Sequence, residues 1–95
     1  MKSSSEGSER KASYSLVSAR SFLRDLRRLD TVAIRRILQT VELLKENPNL
    51  GKNLRGQLEG FRSLRVGDFR VIYTVEEPNR TVILRAVGHR RAVYE

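Results

Sequence analysis

The chain contains no cysteine and no tryptophan, and only two of its 95 residues are proline. Without cysteine it has neither a disulfide framework nor a thiolate metal site, which fits a reducing compartment. No apolar run approaches the roughly 20 residues that a membrane-spanning helix needs. The N-terminal residues also lack the apolar centre of a signal peptide. We therefore expect a soluble protein of the cytoplasm with no membrane partner.

Acidic residues are scarce relative to basic ones: 11 Asp and Glu face 19 Lys and Arg, which gives a net charge of +8. Most of the basic residues are arginine, whose planar guanidinium matches phosphate and stacks on bases. A surplus of this kind indicates an anionic partner and says little about the fold. On charge alone, nucleic acid, an acidic protein and a membrane surface all remain open.

The length is sufficient for one small domain. Residues 1–12 are rich in serine and show no apolar periodicity, so they are predicted to form a disordered tail. Residues 13–95 are predicted to form the folded domain. It begins with a short strand over residues 14–17.

Two helices follow this strand, because apolar residues recur at helical spacing over residues 19–29 and again up to Leu44. Ser18 is predicted to cap the first helix, and Asp30 or Thr31 the second. The two apolar stripes are predicted to contain Phe22, Leu23, Leu26 and Leu29, and then Ile34, Ile37, Leu38, Val41 and Leu44.

Residues 49–60 carry three glycines and are predicted to form a loop. Three strands are predicted after it, over residues 61–66, 69–75 and 81–87. The order β-α-α-β-β-β indicates an α+β fold, in which a helical pair packs on one face of an antiparallel β-sheet.

The stretch SLRVGDFRVIYTV, residues 63–75, predicts a hairpin with a type II′ turn at Gly67 and Asp68. That turn places Arg65 directly opposite Arg70 on the face turned away from the core. Like charges in this position cost up to roughly 1 kcal/mol. An anion lying across the pair would reverse the sign of this effect, whereas screening by solvent would make it negligible.

The chain ends in a second basic cluster, formed by His89, Arg90, Arg91 and Tyr94. Positive charge beside an aromatic ring suits single-stranded nucleic acid, which needs backbone neutralisation and a stacking surface. For His89, a structural role bonded to backbone is an equally good interpretation. Tyr94 is alternatively a terminal aromatic residue packed on the sheet.

The segment LRGQLEGFRSLRVGDFRVIY, combined with VGHRRAVY at the end, resembles the RelE/ParE toxin superfamily, and its RelE branch in particular. The resemblance spans residues 14–94. It implies a toxin of a toxin–antitoxin module that enters the ribosomal A site and cleaves the messenger RNA there. It also implies that no metal or other cofactor takes part, since the 2′-hydroxyl of the message attacks the adjacent phosphate.

The same resemblance implies the partners. These are messenger RNA on the ribosome, with contacts to 16S rRNA, and a cognate acidic antitoxin of the RelB type. The antitoxin is expected in a heterodimer or heterotetramer, and operator DNA is expected to be contacted only through it.

By position, the resemblance assigns Arg65 and Arg70 to stabilisation of the phosphorane-like transition state. It assigns Arg90 to the leaving 5′-oxygen and Tyr94 to stacking on the substrate. A second set of residues is expected to bind the RNA without taking part in the chemistry: Arg62, Ser63, His89 and Arg91.

One residue departs from the pattern of the RelE branch. Ser63 stands where that branch can carry a second basic residue, proposed as general base, and an unaided serine hydroxyl is not a plausible base. The base therefore stays open between Tyr94, His89 and none.

Two rival functions also stay open. One is a ParE-like toxin that poisons DNA gyrase, and the other is an inactive member of the fold that only binds RNA or an antitoxin.

Overall fold

A computed structural model of the chain describes residues 13–89. A five-stranded sheet in the order β1-β5-β4-β3-β2 carries two helices on one face. The strands are β1 (Ser15–Ser18), β2 (Lys52–Asn53), β3 (Arg62–Val66), β4 (Phe69–Glu76) and β5 (Thr81–His89). The helices are α1 (Arg20–Leu26) and α2 (Thr31–Val41), and short 3-10 turns occupy Glu42–Lys45 and Gly56–Leu58. Neither helix has the length or the apolar character to span a bilayer.

The predicted α+β class, with a helical pair on one face of the sheet, is confirmed. The sheet is mixed, however, because β1 runs parallel to β5 while the other neighbouring strands pair antiparallel. Parallel neighbours need a crossover connection, and the two helices lie in the segment that carries the chain away from β1.

The core lies between the helices and the face of the sheet that we call the helix face. Phe22 and Leu26 from α1 and Ile37 and Val41 from α2 are buried there, followed by Leu44 in the first 3-10 turn. The strands contribute Leu64, Val66, Val71, Tyr73, Val82, Leu84 and Val87. No helix of residues 13–89 covers the opposite surface of the sheet, which we call the outer face.

The first helix is shorter than predicted, because it begins at Arg20 and ends at Leu26. Ser18 does not cap it, since this serine is the last residue of β1 and pairs with Leu84. Ala19 occupies the N-cap position with no side-chain bond. Only Phe22 and Leu26 of α1 are buried, whereas Leu23, predicted on the apolar face, is 40% exposed among the arginines. A helix of two turns packed on one strand can bury only this narrow i, i+4 stripe.

The second helix follows the prediction more closely. The Asp30 side chain accepts a hydrogen bond from the Ala33 N–H at 2.8 Å, which confirms it as the N-cap. Such a cap satisfies one of the unpaired N–H groups at the helix start. Leu38, predicted in the buried stripe, is instead 43% exposed.

Side chains of α1 continue the sheet where β1 stops. The last residue of β5 paired with β1 is Leu84. Beyond it, the Ser21 hydroxyl donates to the Arg85 carbonyl at 2.5 Å and Asp25 accepts from the Val87 N–H at 3.1 Å. Because these bonds satisfy backbone groups of an exposed strand edge, they stop that edge from pairing with another chain.

The segment predicted as a loop contains β2, and a buried tyrosine holds this short strand in place. The Tyr73 hydroxyl donates to the Pro48 carbonyl and accepts from the Gly51 N–H, both at 2.8 Å. A Cβ on Gly51 would lie 2.7 Å from the Tyr73 oxygen, so no larger residue fits there without movement. We call this arrangement the Tyr73 clamp.

Replacement of Tyr73 by Phe is expected to lower the free energy of unfolding by about 1–3 kcal/mol, because it leaves the Gly51 N–H and the Pro48 carbonyl without their partner. Urea denaturation followed by circular dichroism measures this loss. Tyr14→Phe is the matched control: it removes an exposed bond to Glu77 and is expected to cost about 0.5 kcal/mol or less. Equal losses in the two variants would show that the clamp is not a stabilising contact.

The clamp also has a pH signature. Burial raises the pKa of Tyr73 above its ordinary value of 10.0, although the Gly51 N–H and the Arg62 charge oppose this. The stability contributed by the buried neutral phenol is therefore fully present below about pH 10 and is lost as the pH rises through the raised folded pKa. The difference in unfolding free energy between wild type and Tyr73→Phe is expected to stay constant up to about pH 10 and to shrink from about pH 10 to pH 11. A constant difference over this range would contradict the assignment.

Candidate functional site

The hairpin of β3 and β4 sets the geometry of the site. Gly67 has φ +61°, while Asp68 does not share this left-handed conformation, as a type II′ turn requires. The predicted register is confirmed: Val66 lies opposite Phe69 and Arg65 opposite Arg70. The alternation of faces is confirmed as well, because Leu64, Val71 and their helix-face neighbours belong to the core.

Arg65 and Arg70 therefore share the outer face as direct neighbours. Arg65 is exposed, and its Nε donates to the Gly67 carbonyl at 3.2 Å, which holds the side chain over the turn. Arg70 is half-buried, and its Nη1 lies 3.2 Å from the Ser63 hydroxyl oxygen, which accepts its hydrogen bond. Two guanidinium groups oriented in this way can clamp one phosphate.

Ser63 lies in the middle of this surface but is only 3% exposed. Its hydroxyl contacts the Arg70 side chain and has little access to solvent. This placement fits a residue that positions Arg70 better than one that binds RNA directly.

The outer face also carries an arginine that is neutralised internally. Arg85 donates from Nε to the Thr74 hydroxyl at 3.1 Å and lies 3.9 Å from a Glu76 carboxylate oxygen. It occupies the irregularity where β5 carries one more residue than β4. By contrast, no carboxylate of residues 13–89 is within ion-pair distance of Arg65. The Arg65 guanidinium can therefore bind an anion, whereas the Arg85 guanidinium is already paired with Glu76.

Next to Arg70, on β5, lies Gly88. The row across the outer face is thus Arg65, Arg70 and Gly88, with no side chain at its third position. Glycine inside a strand often marks a place where a ligand approaches the backbone closely. The place of Gly88 beside Arg70 follows from the pairing of β4 with β5, which local sequence patterns do not reveal.

Arg62 does not join this group. It pairs with Tyr73 and lies on the helix face, where its Nη1 donates to the Gly51 carbonyl at 2.6 Å. A longer bond of 3.4 Å reaches the Asn49 carbonyl. Arg62 is therefore part of the Tyr73 clamp on the helix face. Its expected contact with RNA stays a prediction.

His89 also lies apart from the arginine pair. It is the last residue of β5 and pairs with Phe69, and the two rings make an edge contact with centroids 5.8 Å apart. Because Phe69 packs against the core, this contact lies on the helix face. The structure therefore separates His89 from Arg65 and Arg70 by the thickness of the sheet.

Comparison with known proteins identifies the family. The sequence profile described as "ParE toxin of type II toxin-antitoxin system, parDE" matches residues 16–94. The chain belongs to the RelE/ParE toxin superfamily. Its curated relatives include Toxin RelE of Mycobacterium tuberculosis, 35% identical over 83 residues, which cover 85% of this chain and 86% of that protein. The chain is thus a RelE-family toxin of a toxin–antitoxin module.

Solved structures of this superfamily share the fold. The toxin–antitoxin complex RelBE2 of M. tuberculosis aligns with a TM-score of 0.78 and 29% identity, over 82% of this chain and 99% of that chain. The isolated RelE toxin of E. coli aligns with a TM-score of 0.70 and 22% identity, over 85% of this chain and 90% of that chain. At the lower identity the likeness concerns the fold alone.

Three predicted site residues of this RelE-family toxin, Arg90, Arg91 and Tyr94, lie outside the described residues, as does the predicted tail over residues 1–12. Their assignments stay predictions. Within residues 13–89, no three histidine, aspartate or glutamate side chains come together to hold a metal ion. The expectation of a cofactor-free site rests on the resemblance and stays a prediction as well.

The assignment of the two arginines of β3 to opposite faces predicts that their removal has unequal effects on stability. Arg62→Ala is expected to lower the free energy of unfolding by about 1–2 kcal/mol, because two backbone carbonyls lose a charged donor. Arg65→Ala is expected to change it by about 0.5 kcal/mol or less, since that side chain is exposed. Parallel urea titrations of the two variants measure both values. The face assignment fails if Arg65→Ala is the more destabilised of the two.

Proposed function

We propose that this RelE-family toxin is a ribosome-dependent endoribonuclease that cleaves messenger RNA in the ribosomal A site. The observation that carries the proposal is the row on the outer face, where two opposed guanidinium groups adjoin Gly88, which has no side chain. Neither the turn nor the core requires two like charges in this place. A phosphate lying across them would convert their repulsion into attraction.

In the proposed reaction the 2′-hydroxyl oxygen of the message attacks the adjacent phosphorus. The bond from phosphorus to the 5′-oxygen breaks, leaving a 2′,3′-cyclic phosphate and a 5′-hydroxyl. The 2′-hydroxyl loses one proton and the 5′-oxygen gains one, so the overall reaction is balanced in protons. The phosphorane-like transition state carries more negative charge than the substrate, so fixed positive groups stabilise it preferentially.

The two arginines differ in how they are held, and this assigns them different parts of that task. Arg70 is half-buried and bonded to Ser63, so its guanidinium is already oriented before RNA arrives. Arg65 is exposed and reaches over the turn. Arginine is a poor proton-transfer group, because its guanidinium holds its proton too firmly to give it up. Both residues are therefore proposed to act by electrostatic stabilisation, with Arg90 at the leaving oxygen and Tyr94 stacked on a base.

A second basic surface supports docking on the ribosome. Arg20, Arg24 and Arg27 line a shallow depression on α1 together with Leu23. No carboxylate of residues 13–89 is within ion-pair distance of these three arginines. An arginine-rich surface with a single apolar residue is typical of contacts to nucleic acid. We propose that it contacts 16S rRNA. The proposed activity is then expected in the cytoplasm, where ribosomes translate.

An acidic antitoxin of the RelB type is the proposed protein partner, in a heterodimer or heterotetramer. The matching structure from M. tuberculosis is itself described as a toxin–antitoxin complex. The net charge of +8 favours an acidic segment laid over the outer face. Contacts with operator DNA are proposed to run through the antitoxin.

The catalytic assignment predicts the effect of removing either arginine. Arg65→Ala and Arg70→Ala are each expected to slow message cleavage by about a hundredfold, corresponding to roughly 3 kcal/mol of lost transition-state stabilisation. Single-turnover cleavage of a message on programmed ribosomes measures this rate. Arg55→Ala, which removes an exposed arginine of the loop beyond β2, is the matched control and is expected to retain the wild-type rate. Full activity in both site variants would rule out the arginine pair as catalytic.

A second candidate function follows from the matching profile, which is named for the ParE toxins. A ParE-like protein would poison DNA gyrase as a protein ligand. Induced cells distinguish the two activities: cuts within translated codons, mapped by primer extension, support the endoribonuclease, and DNA breaks with intact messages support the gyrase poison. Neither lesion would indicate an inactive member that binds RNA or antitoxin only.

A further inference from the structure

Lys52, on strand β2, lies on the same face of the sheet as Ser63, which carries no charge. Strand β2 pairs antiparallel with β3, and Lys52 lies directly opposite Ser63. Directly opposed residues of an antiparallel pair project from the same face, with Cβ atoms about 4.5–5.5 Å apart. Because Ser63 bonds to Arg70 on the outer face, Lys52 lies on that face too.

The Tyr73 clamp gives the same orientation independently. The position of a Cβ on Gly51 is against the buried Tyr73 side chain, so residue 51 is turned toward the helix face. Side chains alternate along a strand, which turns residue 52 outward. The clamp also fixes the backbone of this short strand, since the Tyr73 hydroxyl accepts from the Gly51 N–H and Arg62 donates to the Gly51 carbonyl.

Lys52 is exposed, and no carboxylate of residues 13–89 is within ion-pair distance of it. Along β3 the next outer-face residue after Ser63 is Arg65, which makes Lys52 and Arg65 diagonal neighbours about 7–8 Å apart. Lys52, Arg65 and Arg70 thus form a triangle of positive charge around the buried Ser63 hydroxyl. A flexible four-carbon stem lets the lysine ammonium follow a phosphate beside the arginine pair.

We propose that Lys52 contacts the RNA backbone at this site and supplies, from β2, the positive charge that Ser63 does not supply from β3. The role at the scissile phosphate rests on the proposed endoribonuclease function. The contact with RNA does not, because it follows from the surface alone.

Lysine footprinting tests the contact without requiring cleavage. The wild-type chain is acylated with a lysine-reactive ester, with and without a single-stranded RNA whose 2′-hydroxyls are replaced by hydrogen, and modification is read by mass spectrometry. Lys45, whose side chain is 42% exposed and paired with Glu42, is the internal control. RNA is expected to reduce acylation of Lys52 several-fold more than that of Lys45. Equal protection of the two lysines would overturn the proposal.

Cleavage kinetics test the role of the charge. Lys52→Ala is expected to slow single-turnover cleavage on programmed ribosomes by about 10- to 100-fold, at or below the effect of removing one transition-state donor. Lys52→Arg keeps the charge and is expected to stay within about threefold of wild type, as is the control Lys45→Ala. Wild-type cleavage by Lys52→Ala, or equal losses in Lys52→Ala and Lys52→Arg, would overturn the role of this charge. If the wild-type chain cleaves no message, the proposed endoribonuclease fails, and the footprint alone decides whether Lys52 contacts RNA.

Discussion

The two-residue turn at Gly67 and Asp68 is the constraint on which the candidate site depends. Its left-handed first position, φ +61° at Gly67, suits glycine because a side chain there would be strained. The turn fixes the register of β3 and β4, and the register puts Arg65 opposite Arg70. A slip of one residue would exchange the faces of the hairpin and carry the arginines into the core. The pairing of β3 with β4 that completes the hydrophobic core therefore also brings the two arginines together on the outer face.

Residues on one face of the sheet stabilise the fold, and residues on the other face form the proposed site. On the helix face, Arg62 and Tyr73 hold the backbone of residues 48–53 through hydrogen bonds to carbonyl and N–H groups. On the outer face, Arg65 retains a surface that no described carboxylate neutralises. Arg62 and Arg65 are three residues apart on one strand, yet the alternation of side chains gives them unrelated environments. A count of basic residues in the sequence cannot distinguish the two.

Membership of the RelE/ParE superfamily explains the fold, while the details of the surface belong to this chain. Ser63, at the position where the resemblance allows a basic residue, accepts a hydrogen bond from Arg70 and is nearly buried. The proposed compensation by Lys52 relocates the charge by one strand while leaving it on the same face. Such an exchange is sterically simple, because opposed residues of neighbouring strands occupy adjacent positions above one surface. It would preserve the electrostatics of a phosphate site with a different set of residues.

The sequence by itself determined the features that are encoded locally: the α+β class, the Asp30 cap, the hairpin register and the opposed arginines. Each follows from a pattern among residues that are close in the chain, such as a turn sequence or the spacing of apolar residues. Tertiary structure alone decided the parallel pairing of β1, the exposure of Leu23 and Leu38, and the partners of Arg62 and His89. It also turned part of a glycine-rich loop into β2 and thereby brought Lys52 beside Ser63. These outcomes depend on hydrogen bonds between groups that are distant in the sequence. The bond between the Gly51 N–H and the buried Tyr73 hydroxyl, 22 residues apart, is an example, because it forms only when the chain folds.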